Sequence, residues 1–254
     1  MPLEFTNSDI RTFQQDRLMR IAGNLYPGVD LSEGYIKGQL NVAARDLERQ
    51  LRVWLTPREV VPEGTPQADI DALKAAGNEV EIEPGYDYSP MMFQGDSWGF
   101  IETRHRPIIN VTSMTFNFPT PKETIWNIPL DWLRLDKKYG QINIVPLNSA
   151  MFLPLNAYLL SVIGGGRNLP LMLRIRYRAG MQDIEDKEPD IWDLIFKMAI
   201  LSVIDDQYLP MSGSISADGL SESSSWDPHK YRDLISRRVE TIRQSLHGVR
   251  FMVV

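Results

Sequence analysis

The sequence predicts an α+β fold, in which a helical core of long amphipathic helices and one buried central helix carries an antiparallel β-rich insertion. Three observations support this class. Residues 190–209 are apolar around nearly the whole circumference of a helix. Residues 33–54 and 229–246 each carry apolar side chains along one helical face. Residues 100–178 contain several short β-type runs bounded by Gly, Pro and Asn.

The same patterns divide the chain into two predicted domains. Residues 1–78 and 184–254 form the helical core domain, and residues 79–183 form the β-rich insertion domain. With 254 residues, 43% of them hydrophobic, the chain is long and apolar enough to bury a substantial core.

The central helix, residues 190–209, must be buried because it is apolar on almost every side. Pro189 suits the first helical position, and Asp190 and Asp193 place negative charge where the helix dipole favours it. Asp193 and Lys197 are four residues apart, so they are expected to form an ion pair on the one polar stripe. Four aspartates and a lysine within this stretch are too many for a bilayer core.

Other helices flank this one in the sequence. A first helix is expected from a cap at Ser8 and Asp9 to about Ala22, and a short helix between Thr65-Pro66 and Gly77-Asn78. Leu31-Ser32 opens the most clearly amphipathic helix. Its apolar seam is Ile36, Leu40, Ala43, Leu47, Leu51 and Trp54. Its basic outer residues are interpreted as a solvated face, with Glu48 and Arg52 as an i,i+4 pair.

The last helix begins at Asp227-Pro228 and ends at His247-Gly248. Its predicted inward residues are Tyr231, Leu234, Ile235, Val239, Ile242 and Leu246. The segment from Pro210 to Trp226, which precedes it, is rich in small residues and is predicted to be a loop.

Alternation at period two predicts a half-exposed strand at 79–83, and a shift of apolar phase within 108–118 predicts a bulge. Further strands are expected at 124–128, 130–136, 141–145, 155–163 and 171–178. In the last of these, Arg174, Arg176 and Arg178 share one face. Phosphates or an acidic partner are one interpretation of this row, and a solvated sheet face with cross-strand acids is the favoured one.

Composition excludes several classes of function. A net charge of -6 argues against a dedicated nucleic-acid-binding protein, because neutralising phosphates needs a basic surface. The absence of cysteine excludes disulfides and thiolate metal sites, and it favours an intracellular folding compartment. We expect no signal peptide and no membrane segment.

No pattern indicates catalysis, a metal or a cofactor, so we expect a protein that is not an enzyme. His105, His229 and His247 are not at metal-ligand spacing. The acidic run 183–190 lacks the pattern of a calcium loop and is explained by helix-start electrostatics. Gly164-Gly165-Gly166 leads into a strand rather than a helix, which excludes a phosphate loop.

Three passages resemble the head-to-tail connector (adaptor) proteins of tailed bacteriophages. Residues 106–113, RPIINVTS, resemble the family's arginine-proline strand. Residues 128–136, IPLDWLRLD, followed by 139–144, YGQINI, resemble its strand, turn and strand. Residues 214–223, SISADGLSES, resemble a serine-rich loop found in neck and tail proteins.

The resemblance implies a structural protein of the virion, made in the host cytoplasm and placed at the neck, with no catalytic residue or cofactor. It implies a homo-oligomeric ring, twelvefold, that joins the portal protein to a tail-side neck or collar protein. Genomic DNA would be passing cargo only, and no membrane is involved. The amphipathic helices 33–54 and 229–246 are candidate ring surfaces. The expected docking residues are Val249, Arg250, Phe251, Met252, Val253 and Val254.

Two other classes remain open. One is a different structural component of the tail, such as a collar or baseplate protein. The other is a carbohydrate-binding module or carbohydrate-active enzyme, which Trp98, Trp126 and Trp132 could serve as sugar platforms, although core packing is the favoured role for these rings.

Overall fold

The structure is a computed structural model of the chain. It describes residues 3–18, 31–88, 100–117, 124–145, 169–207, 212–217, 220–225 and 228–247. The elements confirm the predicted α+β class. The chain divides into two compact units, a sheet unit at Thr56–Gln182 and a helical unit that combines the chain up to Leu55 with the chain from Asp183. The predicted domain boundary lay at 78/79; the residues from Thr56 to Asn78 belong instead to the sheet unit, because the strand at 58–62 pairs with the strand at 169–179.

The helices of the described residues, in chain order, are α1 (Asn7–Arg11), a π-helical segment (Thr12–Leu18), α2 (Glu33–Leu51), α3 (Gln67–Ala75), a 3-10 turn (Leu130–Trp132), α4 (Ile184–Lys187), α5 (Pro189–Gln207) and α6 (Pro228–His247). The strands are β1 (Arg58–Pro62), β2 (Glu79–Glu83), β3 (Tyr86–Tyr88), β4 (Phe100–Glu102), β5 (Ile108–Asn117), β6 (Thr124–Asn127), β7 (Leu133–Asp136), β8 (Gln141–Ile144), β9 (Leu169–Ala179), β10 (Ser212–Ala217) and β11 (Leu220–Ser225).

Helix α5 is the centre of the helical unit, as predicted. It packs against both α2 and α6. Ile195, Ala199 and Val203 are fully buried, which is what an all-round apolar helix requires. The expected ion pair is present, with Lys197 Nζ 2.6 Å from Asp193. Arg17 joins it at 2.6 Å, a partner far away in sequence that periodicity does not reveal.

The first helix is capped by Thr6 rather than by Ser8 and Asp9. The Thr6 side chain accepts a hydrogen bond from the Asp9 backbone N–H, and the Asp9 carboxylate accepts from the Thr6 backbone in return. This capping box satisfies N–H groups that the helix leaves open. The α-helix ends at Arg11 and continues as the π-helical segment to Leu18, so the expected end near Ala22 lies outside the described residues.

Helix α2 buries the predicted seam from Ile36 to Leu51, but Trp54 is not part of it. The helix stops because Arg52 adopts a left-handed conformation, with φ of 55°. The expected Glu48–Arg52 pair does not appear; Glu48 instead accepts a hydrogen bond from the Leu55 backbone N–H at 3.0 Å. Glu48 therefore stabilises the turn that leaves the helix.

Two predictions about the C-terminal part of the helical unit are wrong. Leu234 on α6 was predicted to point inward but is 58% exposed, so the buried face of this helix contains fewer residues than the apolar spacing predicts. The segment predicted as a loop between 210 and 226 contains a two-stranded antiparallel ribbon, in which β10 and β11 pair over six residues each. Serine-rich composition hid these strands, because the ribbon is held by backbone hydrogen bonds.

The sheet unit is mixed, not purely antiparallel. The order of its main sheet is β2-β1-β9-β5-β6, with β3 paired to β9. The β1–β2 pair is parallel, and the other ladders of this sheet are antiparallel. Parallel neighbours need a crossover, which the short helix α3 provides. The bulge predicted in β5 is confirmed by register shifts between Ile108 and Asn110 and between Val111 and Ser113.

A second, three-stranded sheet has the order β4-β8-β7. The predicted hairpin turn joins β7 to β8, and Gly140 supplies its positive φ of 70°. The predicted strand 130–136 starts only at Leu133, because residues 130–132 form the 3-10 turn. The strand expected at 155–163 lies outside the described residues.

Candidate functional site

The sheet unit buries a polar cluster that the sequence does not reveal, and we call it the Glu83 cluster: Glu83, Tyr86, Arg104 and Tyr177. Glu83 ends β2, Tyr86 begins β3, Arg104 follows β4, and Tyr177 lies in β9. The Glu83 residue is only 3% exposed, although its strand looked half-exposed, while Ile82 beside it is 52% exposed. A charged group at this depth needs partners to be stable.

Both oxygens of the Glu83 carboxylate accept hydrogen bonds from tyrosine. The Tyr86 hydroxyl donates to Oε1 at 2.8 Å, and the Tyr177 hydroxyl donates to Oε2 at 3.2 Å. Each hydroxyl also accepts from the backbone, Tyr86 from the Arg104 N–H at 3.1 Å and Tyr177 from the His105 N–H at 3.4 Å. The cluster therefore connects β2, β3 and β9 to the segment after β4.

Arg104 closes the cluster. One of its terminal nitrogens is 3.6 Å from the Glu83 carboxylate, and its guanidinium carbon lies 4.3 Å from the centre of the Tyr86 ring. It also donates to the carbonyl oxygens of Pro84 and Gly85 at 2.7 and 3.0 Å. At Gly85 a Cβ atom would lie 2.5 Å from the Leu171 carbonyl oxygen, so the turn needs glycine to approach β9. Arg104 thus holds the β2–β3 turn in place.

Burial sets the protonation of these groups. It raises the pKa of the Glu83 carboxyl, against the hydrogen bond from Tyr86 and the charge of Arg104. It also raises the pKa of both tyrosines, with the negative charge of Glu83 adding to the effect. Burial lowers the pKa of His105 to about 4, and the positive charges of Arg58 and Arg104 add to this effect. At neutral pH the tyrosines are hydrogen-bond donors and His105 is uncharged.

The geometry gives the Glu83 cluster a structural role. Its carboxylate and hydroxyl oxygens are engaged within the protein, so its hydrogen bonds serve to fix strands. Within the described ranges, no group of three or more His, Asp or Glu side chains is placed to hold a metal ion. No described helix is long and apolar enough to cross a membrane.

A second polar feature is the arginine row of β9, which we define as Arg174, Arg176 and Arg178. The three half-buried side chains share the face of the sheet opposite to Leu173 and Ile175, which are buried. Their ladder neighbours on β5 are the polar residues Thr115, Ser113 and Asn110. The predicted cross-strand acid is confirmed for Arg178, which lies 3.9 Å from Glu59.

The other two arginines differ from Arg178. Among the described residues, no carboxylate lies within ion-pair distance of Arg174 or Arg176. The Nε atoms of Arg176 and Arg178 are both buried and have no hydrogen-bond acceptor in that part of the chain. A buried donor without an acceptor is costly, so this row is not fully explained by contacts in the sheet unit.

The remaining candidate residues are the tryptophans, the glycine run and the C-terminal tail. The rings of Trp126 and Trp132 meet edge to face, with centroids 5.7 Å apart, and Trp126 stacks on Phe116 at 6.4 Å. Phe116 and Trp132 are buried and Trp126 is half-buried, so these rings pack mainly in the core, as the favoured interpretation predicts. Trp98, Gly164–Gly166 and the tail from Val249 to Val254 lie outside the described residues.

No family model matches this chain, and no curated protein matches it. Among solved structures, a chain in the neck of an empty gene transfer agent particle is similar at a TM-score of 0.40 and 10% identity, with 94% of this chain and 92% of that chain covered. A chain of the virion of a native gene transfer agent particle is similar at 0.39 and 13%, with the same coverage. Likenesses at these TM-scores do not define a shared fold.

Proposed function

We propose that this chain is a structural protein of the neck of a tailed phage or phage-like particle. Copies of it form a ring that joins the portal protein to a tail-side protein and leaves a channel for DNA. The observation that supports the proposal is the resemblance of three passages to connector proteins, two of which lead into strand β5 and form the β7–β8 hairpin as the resemblance implies. The proposal includes a place in the virion and a function without bond-making chemistry.

Each of the three passages takes a regular structure. Arg106-Pro107 leads directly into β5. Residues 133–144 form the β7–β8 hairpin, in which Leu133 pairs with Ile144 and Asp136 with Gln141. The serine-rich passage forms the β10–β11 ribbon between α5 and α6. A structural neck protein needs such rigid elements, whereas an enzyme needs converging reactive groups.

Ring closure requires two different surfaces on each copy. On the helical unit, the outer faces of α2 and α6 are candidates. Val42 on α2 and Leu234 on α6 are 52% and 58% exposed, and Arg237 and Arg238 lie exposed beside Leu234. The tail from Val249 remains the candidate for attachment to a partner, because six mostly apolar residues follow the last helix.

The charge of the chain suits a conduit for DNA. With a net charge of -6, a ring of many copies presents little basic surface to a passing duplex. Firm phosphate contacts would slow DNA, since each one adds to the electrostatic affinity. We therefore treat DNA as cargo and not as a ligand.

The direct test is to locate the protein in purified particles and to count its copies. We expect antibody-labelled or tagged protein at the head-tail junction, and twelve copies per particle by quantitative mass spectrometry or by reconstruction of the neck. A sixfold or threefold count at another position in the tail would favour a collar or baseplate protein. Absence from particles that are otherwise complete would refute the proposal.

A truncation after Gly248 tests the tail separately. We expect the truncated protein to fold, with unchanged helix content, and to lose attachment to the portal. The full-length chain carrying Lys74→Ser is the control, because this exposed substitution lies outside the tail and should leave attachment unchanged. If the truncated protein still joins the portal, the tail is not the docking segment, and the neck assignment stands on the particle test alone.

A further inference from the structure

The arginine row of β9 and the acidic segment 183–190 are opposite in charge. We propose that Arg174 and Arg176 of one copy dock on the acidic segment 183–190 of the next copy in the ring. The inference rests on the proposed ring and adds the pair of surfaces that forms it.

The basic surface is polar and, within the described residues, incompletely neutralised. The side chains of Arg174 and Arg176 emerge about 6.6 Å apart on β9, the spacing of alternate residues in a strand. Ser113 and Thr115 stand opposite them on β5 and add hydroxyl groups to the surface. Among the described residues, Arg178 is the only arginine of the row with a carboxylate beside it, that of Glu59. The face therefore keeps two positive charges for a partner.

The acidic segment 183–190 carries exposed carboxylates. Glu185, Asp186 and Glu188 are exposed, and no basic group is paired with them among the described residues. The one local pair joins Asp183 to Lys187 at 2.9 Å. Glu185 lies on α4, and Glu188 is the C-cap of this helix. Carboxylates bind guanidinium groups in a bidentate manner.

Charge favours a contact between two different patches of the chain. Two copies that met through the same patch would place arginines against arginines, or acids against acids, and like charges brought together cost several kcal/mol. In the proposed ring the basic face of each copy meets the acidic segment of the next copy, and such a heterologous contact closes into a ring when the rotation between copies closes. A nucleic acid is a less favoured ligand for this face than a second copy of the chain. The chain carries a net charge of -6, and only two arginines of the face lack a neighbouring carboxylate among the described residues.

The test is a charge swap in the full chain. Arg174→Glu with Arg176→Glu, and separately Glu185→Lys with Glu188→Lys, should each weaken self-association by at least about tenfold, measured by analytical ultracentrifugation at low salt. The protein carrying all four substitutions has complementary surfaces again and should recover association. Lys74→Glu with Lys137→Glu is the control, because it changes net charge as much as the arginine variant does but lies at exposed positions outside α2 and α6. Circular dichroism checks that each variant folds.

Three results would overturn the inference: unchanged association in both double variants, no recovery in the fourfold variant, or a wild-type protein that stays monomeric at low salt. Binding of duplex DNA that the arginine variant alone abolishes would assign the face to nucleic acid instead. None of these results removes the protein from the particle. Failure of the inference is therefore distinguishable from failure of the proposed function, which the copy count in particles decides.

Discussion

The replacement Glu83→Ala tests whether the Glu83 cluster stabilises the sheet unit. It removes the acceptor of two hydrogen bonds, from Tyr86 at 2.8 Å and from Tyr177 at 3.2 Å, in a site where the Glu83 residue is 3% exposed. Hydrogen bonds to a charged group contribute about 1.5–3 kcal/mol each. Relief from burying the carboxylate, which the raised pKa reports, offsets part of this. We expect a net loss of about 2–3 kcal/mol.

The assay follows the sheet unit alone. Urea titration with pulsed hydrogen exchange, read on peptides covering residues 169–179, reports the free energy of unfolding of β9. Glu81→Ala is the matched control, because Glu81 is an exposed glutamate on the same strand, and it should change this value by less than about 0.5 kcal/mol. If Glu83→Ala is as mild as Glu81→Ala, the cluster does not stabilise the sheet, and its hydrogen bonds are replaced by water.

Three further outcomes are expected. The pKa of Glu83 is raised above its ordinary 4.5, so the folded state holds that proton more tightly than the unfolded state does. The stability that this group contributes is present below pH 4.5 and is lost as the pH rises through the pKa of the folded state. Glu83→Gln should therefore remove this pH dependence of the free energy of unfolding in urea titrations run at a series of pH values. Gly34 and Gly38 on α2 have open space where a Cβ would stand, so replacing each by Ala should raise the thermal midpoint, with a gain of about 1 kcal/mol each; a lower midpoint would contradict the helix geometry. Leu234→Ala should cost under about 0.5 kcal/mol and Ile235→Ala about 2–4 kcal/mol, and equal costs in urea titrations would contradict the orientation of α6.

Local patterns predicted the helices and most strands because their signals are contained in short stretches of chain. The seam of α2, the apolar circumference of α5 and the bulge of β5 are all set by side-chain spacing over 10 to 20 residues, about the length over which periodicity is informative. The Asp193–Lys197 pair is of the same kind, since four residues on a helix fix the distance. Errors in the bounds of these helices lay at caps and ends, such as Thr6 and Trp54, whereas the exposure of Leu234 in α6 is an error within a helix.

The candidate surfaces were only partly visible in the sequence. Alternation in β9 placed three arginines on one face, and the structure agrees. The pairing of β9 with β1 brings Glu59 next to Arg178. Among the described residues, no carboxylate lies beside Arg174 or Arg176. Which charges remain for a partner is decided by strand order, which a single sequence does not state.

By itself, the sequence determined the α+β class, the buried helix α5 and an acidic chain without cysteine chemistry, because composition and periodicity act locally. Only the tertiary structure decided that Glu83 is buried, that β1 and β2 run parallel across α3, and that a serine-rich segment forms a ribbon. The physical reason is the same in each case. These features depend on groups far apart in the chain, Glu83 and Tyr177 above all, whose contact stabilises arrangements that local polarity does not favour.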